Sequence, residues 1–136
     1  MYNDRRGDFL MKTIKQTYSV KAPIDKVWNA LVDPKEIDDW GAGPAEMDDK
    51  VGTEFKLWGG DIWGKNLEVD PEKRLVQEWY GGDWPQPSKA TFVLVSDGDK
   101  TTIDLLHEDI PDDEAKGVAD GWKQYYLGPM KEMLEM

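Results

Sequence analysis

The sequence predicts an α+β domain in which a curved antiparallel sheet is covered by a long C-terminal helix. Three observations predict it. A strand-like alternation near the N-terminus leads into an amphipathic helical stripe, the middle of the chain is a run of alternating segments joined by short turns, and a long helical stripe comes last.

The elements follow in order. Within Thr13–Val20, Ile14, Gln16, Tyr18 and Val20 fall on one face, which marks a first strand. Pro23 suits the first turn of a helix, having no N–H to leave unpaired. Ile24, Val27, Trp28 and Leu31 then recur at helical spacing. Asp33-Pro34 ends that helix and opens another, with Asp33 as cap and Glu36 completing a capping-box-like pair; Ile37 and Trp40 share one of its faces.

From Ala45 to Glu108 the pattern is that of strands. Phe55 and Leu57 alternate with polar neighbours, Gly59-Gly60-Asp61 turns the chain, and Ile62–Val69 returns. Pro71-Glu72-Lys73 is a second turn before Leu75–Tyr80, and a Gly/Pro-rich loop spans Gly81–Pro87. Ala90–Val95 and Thr102–His107 flank Asp97-Gly98-Asp99-Lys100, a hairpin signal. Short turns imply an antiparallel meander rather than β-α-β units. Beyond Pro111, Asp112-Asp113-Glu114 gives an acidic first helical turn. The apolar side then runs through Ala115, Val118, Ala119, Trp122, Tyr125 or Tyr126, Met130 and Met133. Gly128-Pro129 predicts a kink or break, because proline removes a helical hydrogen bond and clashes with the preceding turn.

The 136 residues suit one domain, read as 12–136 behind an N-terminal extension of residues 1–11. A formal charge of −11 argues against nucleic acid and against anionic membrane surfaces, since both are bound through Lys and Arg. It leaves a basic protein partner or a neutral ligand, or simple solubility. With no cysteine there is no disulfide, thiolate nucleophile or thiolate-ligated metal. The sequence carries no apolar run near the ~20 residues of a membrane helix, and its first residues do not read as a signal peptide. The expected compartment is the cytoplasm.

Candidate chemistry is sparse. One histidine and no cysteine support no metal site, and Gly41-Ala42-Gly43-Pro44 lacks the Lys-Ser/Thr of a phosphate loop. His107 shares a strand face with Ile103 and Leu105, either as a general base or polar anchor in a cavity or as a strand-end residue bonded to a neighbour. Glu78 is a second candidate of that kind, facing inward or to solvent. No convergent nucleophile, base and orienting group is visible, so the chain reads as a binding domain, not an enzyme, with no cofactor. Aromatic residues say more. Trp40, Trp63, Trp79, Trp84, Trp122, Tyr125 and Tyr126 lie in different elements, suiting a core, a pocket wall or an interface. Trp84, in its Gly/Pro-rich loop, is the candidate partner contact.

Taken together, several fragments carry a resemblance: Ala22–Trp28 (Ala-Pro-Ile-Asp-Lys-Val-Trp), Gly52-Thr53-Glu54-Phe55, Pro71–Trp79, Trp84-Pro85, and Gly121–Tyr126 continuing to Met130-Lys131. In that order and spacing the chain resembles, from Lys12 to Leu134, the C-terminal domain of the activators of the 90-kDa heat-shock-protein ATPase. These belong to the START-like (SRPBCC, helix-grip, Bet v 1-like) superfamily. The resemblance implies a sheet curled around the last helix with a cavity or groove between them, and a 90-kDa heat-shock chaperone as partner. The resemblance extends only to the activators' C-terminal domain and not to their separate N-terminal domain, which bears on the expectation of full ATPase stimulation.

Two readings follow. One is a co-chaperone-like protein-binding module. The other is a carrier or sensor of a small apolar or aromatic ligand, with Phe55, Leu57, Trp79, Phe92, Leu94, Ile103, Leu105, Trp122, Tyr126 and Met130 as cavity walls and His107 as polar anchor. In either, Gly121 is expected to let the last helix approach the sheet, and Trp122 to plug or line the space beneath. A kink at Gly128-Pro129 would leave the groove widest near the helix end.

Overall fold

The computed structural model describes residues 11–82 and 84–136. Met11–Val20 forms β1, so within the expected extension only Met11 falls among the described residues, and it opens this strand. Helices α1 (Ile24–Val32) and α2 (Pro34–Trp40) follow. The remaining strands are β2 (Glu54–Leu57), β3 (Ile62–Asp70), β4 (Arg74–Gly81), β5 (Ser88–Asp97) and β6 (Lys100–Pro111). All pair antiparallel in the order β1-β6-β5-β4-β3-β2. The meander from β2 to β6 is the one predicted. Its closing hairpin turns at Gly98, at φ 68°, between the paired Asp97 and Lys100. β1 joins at the β6 edge.

Alternation sorts the sheet into two faces. Phe55, Leu57, Leu75, Trp79, Phe92, Leu94, Ile103 and Leu105 point inward and are buried with the apolar faces of α1 and α2. Val27, Trp28 and Leu31 of α1, and Ile37 and Trp40 of α2, sit in that core as their spacing requires. Asp33 caps α2 by accepting from the Lys35 N–H at 2.9 Å. The second half of the capping box is not made, because the Asp33 N–H already closes α1 on the Asn29 carbonyl at 2.9 Å.

The C-terminal helix is where sequence and structure part. It runs from Asp112 to Leu134 without a break, as α3 (Asp112–Gly121), a π-helical turn (Trp122–Tyr126) and α4 (Leu127–Leu134). The Leu127 N–H reaches back five residues to the Trp122 carbonyl. This widened turn lies just ahead of Pro129 and makes room for a residue that cannot donate and whose ring crowds the turn before it. Gly128 is part of the device: a Cβ there would lie 1.9 Å from the Lys123 carbonyl oxygen. The expected kink is thus absorbed into the helix one turn upstream.

The helix is held unevenly. α4 buries Leu127 and Met130, and its end is tied to β1 by Lys131 Nζ on the Ser19 carbonyl at 2.7 Å and the Lys21 N–H on Glu135 at 2.9 Å. α3 buries no residue and is tied to β1 by Gln16 donating to the Ala119 carbonyl at 3.0 Å. The space between helix and sheet therefore opens along the Val118–Tyr126 stretch, not near the helix end as expected.

Candidate functional site

Two structures share the region under the π turn. The first is a sealed polar pin. Trp122 Nε1 donates to His107 Nδ1 at 2.9 Å, and His107 Nε2 lies 2.8 Å from Ser88 Oγ. Since Nδ1 accepts, the network assigns the proton to Nε2, which donates to Ser88; the serine hydroxyl in turn donates to the Trp79 carbonyl at 3.0 Å. Every member is satisfied by a neutral imidazole. His107 is fully buried, and desolvation lowers its pKa from 6.5 to about 3. A Ser–His pair in this tautomer is the reverse of a nucleophile and its base, because the imidazole has no free lone pair toward Oγ. What the arrangement does is clamp the last helix to β5 and β6.

The second is a pocket of about 300 Å³ beside that pin. Its floor is aromatic. Trp79 and Trp122 stack with centroids 4.6 Å apart, and Tyr126 lies 4.6 Å from Trp122. Trp79 is held from below by Nε1 donating to Gln77 at 2.9 Å, and Gln77 is held by Asn66 at 2.9 Å. One wall is the turn between β2 and β3: Trp58, Asp61 and Ile62. The other is the outer edge of the helix: Val118, Gly121 and Tyr125.

Trp58 is in the left-handed region at φ 50°, an uncommon conformation for a bulky residue. It is over-determined by its neighbours. Its backbone N–H donates to the Ala42 carbonyl at 2.8 Å and its indole Nε1 to the Gly41 carbonyl at 3.1 Å. Backbone strain fixed in this way and π turns both gather at functional sites, and here they bracket one pocket.

Tyr126 sits at the hub of the aromatic cluster, with Trp40, Trp58, Trp79, Phe92 and Trp122 around it. Its hydroxyl is the one buried side-chain N or O atom among the described residues without a hydrogen-bond partner. Burial holds that group's pKa well above its ordinary 10.0, so it stays protonated.

Of the residues expected to line a cavity, the structure brings Trp79, Trp122 and Tyr126 to this pocket. Phe55, Leu57, Phe92, Leu94, Ile103, Leu105 and Met130 are instead packed in the core beneath it, and His107 anchors Trp122 from within. Gly121 does not meet the sheet: a Cβ there would find nothing within 4 Å, so its smallness leaves the pocket mouth open. Trp84 is half-buried, its ring against Gly81 on the side that also carries Ile62. Trp63 lies on the outer sheet face, stacked on Tyr80 at 5.6 Å. Glu78, on the same outer face and half-buried, is not in the polar pin.

Sequence reasoning missed Trp58, Asp61, Ile62, Val118 and Gly121 as pocket residues. A signal was available for the helix side, since Ala115–Gly121 carries one sizeable apolar residue, Val118, and cannot fill the space beneath it.

Fold and site together define a helix-grip domain: a sheet wrapped on one long helix, with an aromatic pocket at their junction. Residues 21–135 match the family model described as "Activator of Hsp90 ATPase homolog 1-like protein", and the chain belongs to that family. An uncharacterised protein of Schizosaccharomyces pombe is 28% identical over 120 residues, covering 87% of this chain and 36% of that protein. The human activator of 90 kDa heat shock protein ATPase homolog 1 is 24% identical over 122 residues, covering 88% of this chain and 36% of the human protein. The chain thus spans about a third of the length of these relatives. Among solved structures, an HSP90 activator from Plasmodium falciparum superposes with a TM-score of 0.82 at 26% identity, covering 90% of this chain and 95% of that one. No helix among the described residues is long and apolar enough to cross a membrane.

Proposed function

We propose that this chain is a non-catalytic, cytoplasmic binding domain whose partner is a 90-kDa heat-shock chaperone. The observation that carries the reading is family membership across residues 21–135, with a relative and a structural neighbour that are both named as activators of that chaperone. The acidic surface supports it as a steering field toward basic patches on a protein partner. Trp84 is the proposed contact residue, half-buried in its loop and large enough to anchor an interface. The test adds purified protein to the host's 90-kDa chaperone and measures ATP turnover and co-elution. A change in turnover or a complex at micromolar concentration is expected; neither appearing refutes the reading.

A second reading is favoured by one specific observation, the pocket of about 300 Å³ between the β2–β3 turn and the helix. It lies at the small end of the range for ligand pockets, roughly 300–1,000 Å³. In this reading the domain carries or senses one small molecule. Native mass spectrometry of freshly purified protein tests it, with a co-purified small molecule as the expected result.

A further inference from the structure

We infer that the pocket under the π turn is selective for a small organic cation, an alkylated ammonium on an aromatic or alkyl body. This rests on the small-ligand reading above and deepens it by naming the chemistry recognised.

Two features of the pocket carry the inference. Its aromatic content is the first: Trp58, Trp79, Trp122, Tyr125 and Tyr126 all line it. Indole and phenol rings attract a cation through their quadrupoles, tryptophan most strongly, and aromatic enclosures are a recurrent way to hold quaternary ammonium groups. The second is charge. Asp61 is the one ionisable carboxylate in the lining, no Lys, Arg or His lines the pocket, and Asp61 forms no ion pair among the described residues. Across the whole chain a formal charge of −11 draws cations in and repels anions.

The walls are also held in place before any ligand arrives, which lowers the ordering cost of binding. Trp58 is fixed by two hydrogen bonds to the Gly41–Ala42 segment, Trp79 by Gln77 and Trp122 by His107. The volume suits one small molecule. A neutral aromatic would gain from the same rings by burial alone, so the discriminating property is the positive charge.

The experiment titrates the full chain with benzyltrimethylammonium, its neutral carbon isostere neopentylbenzene, and the anion phenylmethanesulfonate. Calorimetry gives affinity and amide chemical shifts give location. The cation is expected to bind on the order of tenfold more tightly than the neutral isostere. Shifts should centre on Trp58 and Gly121–Tyr126, and the anion should not bind. Asp61→Asn, at an exposed position, should weaken the cation roughly threefold to tenfold and leave the neutral isostere unchanged. Gly121→Leu should block both, filling a mouth where a Cβ meets nothing. Equal or tighter binding of the neutral isostere, or a cation affinity indifferent to Asp61→Asn, overturns the inference while leaving the small-ligand reading in place. Binding of neither probe at these residues overturns both.

Discussion

Lowering the pH should destabilise this protein through His107, and the size of the effect follows from the polar pin. The imidazole is neutral in the folded state because both of its nitrogens are committed, Nδ1 to the Trp122 indole and Nε2 to Ser88, and because the ring is fully buried. Its pKa falls to about 3, against 6.5 for the exposed side chain. As the pH drops below 6.5 the unfolded chain takes up a proton that the folded chain refuses. The unfolded state therefore binds more protons, and stability rises with pH across that window. The contribution is complete above about pH 6.5 and is lost as the pH falls toward 3. Each pH unit costs about 1.4 kcal/mol, so between pH 7.5 and pH 4.5 the loss is about 2.7 kcal/mol. That figure does not depend on where below pH 4 the native histidine titrates.

Many carboxylates titrate over part of the same range, so the assay must subtract them. His107→Gln offers an amide oxygen to Trp122 and an amide N–H to Ser88 while removing the titrating group. Denaturant unfolding of both proteins, followed by tryptophan fluorescence from pH 7.5 to 4.5, gives two stability curves. Their difference should shrink by about 2.7 kcal/mol toward acid. A difference flat to within about 0.5 kcal/mol would refute the reasoning, since it would mean that His107 takes its proton in the folded state at an ordinary pH.

Four further substitutions separate the parts of the site. Gly121→Ala and Gly128→Ala should have opposite signs: the first adds a methyl in open space and should stabilise by about 0.5–1 kcal/mol, whereas the second drives Cβ into the Lys123 carbonyl and should destabilise by more than that gain. Thermal unfolding reads both. Trp122→Ala should cost about 3–5 kcal/mol in denaturant unfolding, as for a buried aromatic, because the indole is 2% exposed and its loss also strands His107 Nδ1. A cost near 1 kcal/mol would make it a rim residue. Tyr126→Phe should leave stability unchanged or raise it by about 1 kcal/mol, since the hydroxyl it removes has no partner; a clear loss in the same assay would mean that the hydroxyl is bonded.

Legibility in the sequence tracked how local the physics was. β1, α1, α2 and the meander could be read because alternation, helical stripes and turn residues are properties of neighbours along the chain. His107 was placed on the inner face of its strand for the same reason. Its partners were not legible: Ser88 follows a Pro-rich loop with no strand pattern of its own, and Trp122 lies 15 residues away along the chain. The stripe left Tyr125 and Tyr126 undecided. In the structure Tyr126 is 1% exposed and Tyr125 62%, so the position four residues after Trp122 is the one that turns inward. Proline announces trouble in a helix but does not say whether the chain will bend, break or take in an extra residue. Trp58 carried no signal, because a bulky residue in the left-handed region goes against its own preference and is held there by the distant Gly41–Ala42 carbonyls.

The pocket is better understood as a consequence of these nonlocal choices than as a gap left between helix and sheet. A widened turn precedes Pro129, and Trp122 and Tyr126, four residues apart and so on one helix face, both enter the core. Once they are docked, the small side chains of Ala115 and Ala119 and the bare Gly117 and Gly121 leave nothing on α3 to reach the β2–β3 turn. That turn is itself held out by Trp58, whose indole is tied to the loop after α2 rather than folded across the opening. The site therefore has two independent supports, one in the helix and one in the loop. A domain whose only task was to pack could have filled the space by placing a leucine at position 121, where a Cβ would find nothing within 4 Å beyond its own helix. Keeping glycine there sets an open aromatic chamber beside a sealed polar pin, so the floor stays rigid while the mouth stays accessible.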